Sequence, residues 1–373
     1  MHRIFIILMI IACGILFSVE IPERSYEKRR KQFIAIIVFI LALQSGLRNW
    51  AVGADTYQYN VLWKQAENTN WNSVLNKLFT LSGKDPFYLF FQKVIQIFTL
   101  DYQVYLMIVG FFFMIPFGHF MYKNTTSIRH IAVAFIIYMG YYYGFYSITG
   151  IRQTLATAVL FISYEHLVKR NIWRFILLVL IGSLFHISAL VFLPLYAVVK
   201  LNRPKLIFGL SIITFPVVMY FKNYLALFFV TIFGVEDRFG VYAEQYKTGG
   251  SLILTAFQIV LGIIGLILMK KATKDNYRVV VMYNVFALAL FFLPLQWVNP
   301  SAGRVAQYFA IIMMVWIPFL LDASSSSSLH SNKFRGVTYS LATVGFIFIT
   351  IFAIQSLDEY KFFWQYMKAP YGS

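Results

Sequence analysis

The chain is short of cysteine, of charge and of acid. One cysteine, Cys13, stands in 373 residues, which excludes an intramolecular disulfide framework and a cysteine metal cluster. Charged residues make up 13% of the sequence, about half the share of a soluble domain. That is too little to solvate a globule of this size, whereas lipid requires no such solvation. Walker A loops, H-E-x-x-H helices and histidine–cysteine clusters are missing. Nucleotide hydrolysis, a metal centre and a cofactor are therefore not expected. No internal repeat is visible either, in contrast to many transporters, which are built from duplicated halves.

What is present is apolar. The composition is 60% hydrophobic and 19% aromatic, with a mean hydropathy of +0.68. A helix needs about 20 apolar residues to cross a bilayer. Apolar segments fall at 3–20, 33–47, 103–122, 131–147, 151–168, 172–186, 187–200, 206–226, 252–269, 279–296, 304–321 and 337–356. The expected fold class is all-α, a polytopic integral membrane protein forming a single transmembrane domain over residues 1–373, with about twelve spans. Residues 4–17 lack a cleavage site and are followed by a dense basic run, Arg24 to Lys31. They read as a retained helix, not as a cleaved signal.

The net charge of +17 would suggest nucleic acid in a soluble protein. In a membrane protein it follows from cytoplasmic enrichment of lysine and arginine, so no nucleic-acid partner is expected. Short basic loops hold Arg24 to Lys31, Lys123 with Arg129, Lys169 to Arg174, Lys200 to Lys205, Lys270 to Arg278, and Lys333 with Arg335. These loops are assigned to the cytoplasm. The longer loops 48–102 and 227–251, the turn at 297–303 and the end after 356 are assigned to the outside. Both termini are then extracytoplasmic. Parity requires that one of the segments 86–100 and 103–122 does not cross. The first carries Tyr88, Gln92, Lys93 and Gln96 and reads as a helix lying in the outer interface.

Arginines on the outer side run against this charge rule and are the informative residues. Arg48 ends the second span, Arg152 opens the fifth and Arg304 opens the eleventh, while Arg238 lies in the outer loop 234–250. A cation near bilayer depth is expensive unless it is paired or faces a wet cavity. Guanidinium groups also grip phosphate oxygens through a bidentate fork. Together these arginines point to a phosphate or pyrophosphate site, against the plainer reading that each snorkels to head groups. Asp55 follows Gly53 and reads as a helix cap or as a proton acceptor. Asp85, before Pro86, reads as a turn or cap. His186 ends the sixth span and reads as a hydrogen-bonded helix end or a proton shuttle. The tyrosines at 141–143 and Tyr146 read as an aromatic belt or a sugar-stacking surface.

The ordered set Arg48 with Val52-Gly53-Ala54-Asp55-Thr56-Tyr57, then Gly150-Ile151-Arg152-Gln153-Thr154-Leu155-Ala156, then Phe185-His186-Ile187-Ser188-Ala189-Leu190, resembles the EpsG family. That family is similar to Wzy-type polymerases of bacterial surface polysaccharides. The resemblance runs from about residue 45 to 310 when Arg304 and Tyr308 are included. The family usually has threonine or a small polar residue where Ala54 stands. The resemblance implies an enzyme in a bacterial inner or plasma membrane that uses a polyprenyl-diphosphate-linked oligosaccharide. It implies transfer of the growing glycan to the next lipid-linked repeat unit, without a metal or cofactor. Membrane lipids, a flippase and a chain-length regulator are the further partners it suggests. Asp55 and His186 are then the catalytic candidates, and Arg48, Arg152, Arg304, Arg238, Gln153 and Tyr308 the diphosphate- or substrate-binding ones. A lipid-linked oligosaccharide flippase, a ligase that transfers finished glycan, and a non-enzymatic scaffold are the rival readings.

Overall fold

The computed structural model of the chain describes residues 2–18, 23–53, 55–83, 85–233, 252–274, 276–298, 300–325, 339–340, 342–345 and 360–367. Among these the structure is all-helical, apart from one isolated bridge between Arg48 and Phe362. The helices group into two compact units, Met1–Leu190 with His330–Ser373, and Val191–Leu329.

The first unit holds α1 (His2–Ser18), α2 (Glu23–Gly46), α3 (Thr56–Glu67), α4 (Trp71–Phe79), α5 (Pro86–Gln96), α6 (Tyr102–Asn124), α7 (Ile128–Ile137), α8 (Ile151–Val168) and α9 (Ile172–Phe185). Several begin at side chains that accept a first-turn N–H, as expected for caps. Asp101 accepts from the Gln103 N–H at 2.7 Å, Ser127 from His130 at 3.1 Å and Asn171 from Arg174 at 3.3 Å. Helices α2 and α6 pack closely because Gly110 has no side chain: a Cβ there would lie 2.8 Å from the Ala42 carbonyl. Small residues at such crossings are how helices associate in lipid, where no hydrophobic drive remains. Two π-helical turns, Tyr138–Tyr142 and Gly144–Thr149, continue α7. π turns of this kind are frequent at functional sites. Tyr142, Tyr143 and Tyr146 of this stretch are buried. They form interior packing and not the lipid-facing belt that their spacing suggested.

The two ends of this unit differ. At one end the Ser45 hydroxyl donates to the Ser147 carbonyl at 2.7 Å, Thr56 to Ile148 at 3.1 Å, and the Gln103 amide to the carbonyls of Gly46 and Arg48. His2 stacks on Tyr360 there, and the Tyr360 hydroxyl donates to the Gln44 carbonyl at 2.6 Å. At the other end Arg30, Lys31 and Lys123 surround the Tyr122 ring. Arg30, Lys31 and Lys123, among the basic residues assigned to the cytoplasm from sequence, thus lie at the end of this unit opposite Arg48 and the start of α8.

The second unit holds α10 (Pro194–Leu201), α11 (Pro204–Phe233), α12 (Leu252–Thr273), α13 (Tyr277–Phe292), α14 (Pro300–Ala310) and α15 (Met313–Ser325). A short 3₁₀ stretch, Leu293–Trp297, follows α13. Trp316 packs against Tyr283 and Phe286, with ring centroids at 4.9 and 4.5 Å. Helix α11 continues through Phe233, past the expected end at 226. The segment 234–251 and most of 337–356 lie outside the described residues.

Among the described residues four helices are long and apolar enough to cross a bilayer: Tyr102–Asn124, Pro204–Phe228, Leu252–Thr273 and Tyr277–Trp297. A fifth is reached if Ala302–Ala310 and Met313–Ser324, bent by 47°, form one span. This is a membrane protein, and these long apolar helices are counted among the described residues alone. The apolar helices His2–Ser18, Ile128–Tyr142, Ile172–Phe185 and Ile187–Leu201 each fall below the roughly 20 residues that a bilayer core takes.

Candidate active site

The site is built around Asp85. Its carboxylate Oδ2 accepts from Arg152 Nη1 at 2.8 Å and from His186 Nδ1 at 3.2 Å, and Oδ1 accepts from the Ile187 N–H at 3.2 Å. Three separate parts of the chain meet there: the start of α8, the end of α9 and the residue before α5. Asp85 stands at the N-cap position of α5, but its side chain caps nothing. Its backbone is left-handed, with φ 54° and ψ 61°. That conformation costs an L-residue roughly 1–2 kcal/mol, and a following proline disfavours helical ψ further. The strain is held by what the carboxylate binds.

Burial within the cluster is uneven. The Asp85 side chain is 1% exposed, that of Arg152 18% and that of His186 24%. The anion lies beneath, and the two nitrogen groups lie partly open above it. Burial pushes the Asp85 carboxyl up, but the hydrogen bond and charge of His186, then those of Arg152, outweigh it. The group is held below its ordinary value of 3.8. Asp85 is therefore ionised at neutral pH and can only accept hydrogen bonds.

Two tyrosine rings fix the guanidinium. The Arg152 carbon Cζ lies 5.3 Å from the Tyr88 ring centroid and 5.7 Å from that of Tyr59, a geometry in which a cation is attracted to the ring face. The Tyr88 hydroxyl accepts from Tyr105 at 2.9 Å and from the Gln92 amide at 3.2 Å. Helices α3, α5 and α6 thereby hold the platform on which Arg152 rests. Its Nε is buried without a hydrogen-bond partner among the described residues.

Other candidates fall elsewhere. Asp55 sits at the N-cap position of α3 and makes no side-chain cap bond. The turn before it is set by Gly53, at φ +96°, where a Cβ would lie 2.7 Å from Ile148. Arg48 is 1% exposed. It donates to the Ser45 carbonyl and is covered by residues 360–367, with the Phe363 N–H donating to the Leu47 carbonyl at 2.9 Å and Asn49 to Lys361 at 2.8 Å. Gln153 is buried in α8. Arg304 and the buried Tyr308 lie one helical turn apart on α14, in the second unit. Arg238 lies outside the described residues.

The sequence profile of the EpsG family matches residues 31–367. The chain belongs to the EpsG family. The matched span holds Arg48, Asp85, Arg152, His186 and Arg304 together. EpsG proteins are relatives of the Wzy-type polymerases, so membership places the chain with exopolysaccharide-type polymerases. No curated protein and no solved structure matches it. In this EpsG chain the residue that sequence reasoning undervalued is Asp85. Its one sequence signal is an acid directly before Pro86, in the same loop as Asp55. That signal is shared by ordinary helix caps.

Proposed function

We propose that this EpsG-family chain polymerises surface-polysaccharide repeat units at the outer face of a bacterial inner or plasma membrane. The growing glycan leaves its polyprenyl diphosphate carrier and passes to the next lipid-linked repeat unit. The observation that carries this reading is the Arg152–Asp85–His186 cluster, at the end of its unit opposite the basic residues around Tyr122. A lipid diphosphate is a stable leaving anion, so it needs charge stabilisation more than protonation. A guanidinium held from behind by a buried carboxylate, and partly open in front, supplies that charge. The acceptor hydroxyl needs a proton acceptor, and His186 and Asp55 are the groups offered for it. Gln153, Arg238, Arg304 and Tyr308 are further candidates for contact with the diphosphate or glycan in this reading, whereas Arg48 is enclosed.

The same reading takes the chain across the membrane about twelve times, with both termini outside and 86–100 lying in the outer interface. It is supported by His2 and Tyr360 sharing the end of the unit at which α2 finishes. Reporters fused in 60–80 are expected to read extracytoplasmic and those in 124–130 cytoplasmic; a cytoplasmic signal at 60–80 contradicts the sidedness. Function is tested by the glycans of a deletion strain. Loss of polymer with retention of single repeat units fits the polymerase. Loss of every surface unit would indicate a flippase instead.

A further inference from the structure

We infer that Asp85 is the positioning residue for proton transfer: it holds His186 with Nδ1 protonated, so that Nε2 takes the acceptor hydroxyl's proton, while fixing Arg152 for the leaving diphosphate. The inference rests on the polymerase reading and names the roles within its site.

The reasoning begins with hydrogen-bond chemistry. An ionised carboxylate accepts and cannot donate. His186 Nδ1 lies 3.2 Å from Asp85 Oδ2, so Nδ1 carries the proton. In the neutral ring the lone pair then sits on Nε2, the nitrogen away from Asp85. A carboxylate used in this way sets the tautomer and stabilises the imidazolium that forms. Asp85 is itself fixed on both oxygens, by Arg152 on one and the Ile187 N–H on the other. That N–H belongs to the residue after His186, so the carboxylate grips both the ring and its backbone.

The step balances as follows. The acceptor hydroxyl gives its proton to His186 Nε2, and its oxygen forms the new bond to the donor's anomeric carbon. The bond from that carbon to the diphosphate oxygen breaks, and its electron pair stays on the diphosphate. Imidazolium and the additional anionic charge appear together, the first beside Asp85 and the second beside Arg152. Arg152 from α8 and the Ile187 N–H face the carboxylate, and Tyr59 from α3 and Tyr88 from α5 face the Arg152 guanidinium. Phe185, just before His186, packs among the apolar rings of Phe87, Phe91 and Phe112.

The test uses full-length protein in membrane vesicles, with lipid-linked repeat units extracted from the deletion strain as the probe. Asp85→Asn keeps the side-chain shape and the tolerance for the left-handed backbone but removes the charge. It is expected to lower kcat by about 100- to 10,000-fold with KM little changed. Loss of a neighbouring anion disfavours imidazolium, so the acid limb of the rate profile should move to lower pH. His186→Ala should remove that limb, and Asp85→Asn added to it should cost well under its own single loss, the remainder being its hold on Arg152. A wild-type rate and limb in Asp85→Asn, or losses that multiply in the double variant, would overturn the inference. If Asp85→Asn is depleted from the membrane, Asp85→Glu takes its place. It retains the charge one methylene out of position, so a reduced kcat with the acid limb retained supports the inference and a wild-type kcat overturns it. Should the wild-type vesicles make no polymer, the polymerase reading itself fails; polymer in the wild type and equally in Asp85→Asn removes only the role of Asp85.

Discussion

The two ends of the first unit each hold an arginine paired with an acid, and the pairs are inverted. At the basic end Arg30 is 7% exposed and its partner Glu27, at 2.6 Å, is 57% exposed. At the other end the acid is the buried member, with Asp85 at 1% and Arg152 at 18%. Arg30 also donates to the carbonyls of Tyr122 at 3.2 Å and Thr125 at 2.5 Å. Its charge is turned inward and taken up by the backbone that ends α6. Arg152 rests on two tyrosine faces and a carboxylate shared with His186. The comparison separates an arginine that closes a fold from one prepared to meet an anion: what matters is which member of the pair is left open, not the presence of a pair.

Substitutions at the two arginines break the comparison most directly. Arg152→Ala is expected to abolish polymer while the protein remains in the membrane, because the diphosphate loses its charge partner. Arg30→Ala is expected to act on stability instead. It leaves buried carbonyls unsatisfied, a cost of about 1–3 kcal/mol, so protein levels fall while activity per molecule holds. Polymer yield and immunoblots of membranes from the two strains decide this. Equal effects of the two changes on activity per molecule would erase the distinction. Arg304→Ala on α14 is expected to resemble Arg152→Ala, with polymer lost at normal protein level.

A second prediction concerns pH. The folded-state pKa of Asp85 lies below its ordinary value. Its stabilising contribution is therefore present above the unfolded pKa of about 4 and is lost as pH falls through the folded value. In detergent the Tm difference between wild type and Asp85→Asn should stay level from about pH 8 to about pH 5 and shrink below about pH 4. A difference that grows on acidification would reverse the sign of the pairing. A smaller effect is expected at the ring platform. Tyr59→Leu removes one cation–π contact, about 1 kcal/mol, and should cost about five-fold in kcat/KM, far less than the loss of Asp85. A loss as large as that of Arg152→Ala would make Tyr59 more than a platform.

Much of the architecture was legible because lipid imposes a coarse rule: apolar runs and basic loops mark helices in sequence. The lengths of individual helices were not, since hydropathy alone does not set where helices such as 2–18 and 172–185 stop. Arg152 and His186 stood out as polar groups at helix ends. Asp85 did not, because an acid before proline reads as a cap, and only the three-dimensional approach of α8 and α9 turns its side chain into an ion-pair centre. Arg48 carried the same sequence signal as Arg152, yet it is enclosed by residues 360–367. That pairing is remote in sequence and left no local trace. The tyrosines at 142, 143 and 146 misled for a related reason: the stretch that carries the two π-helical turns packs them in the interior.

The central claim is that Arg152 binds the leaving diphosphate through the guanidinium fork and not merely through its charge. Arg152→Lys keeps the charge and loses the fork. Glycan chain length on lipid-linked carriers, measured at matched protein levels, is the most direct test. The account predicts single repeat units and little polymer in Arg152→Lys. Wild-type chain lengths in that strain would contradict it.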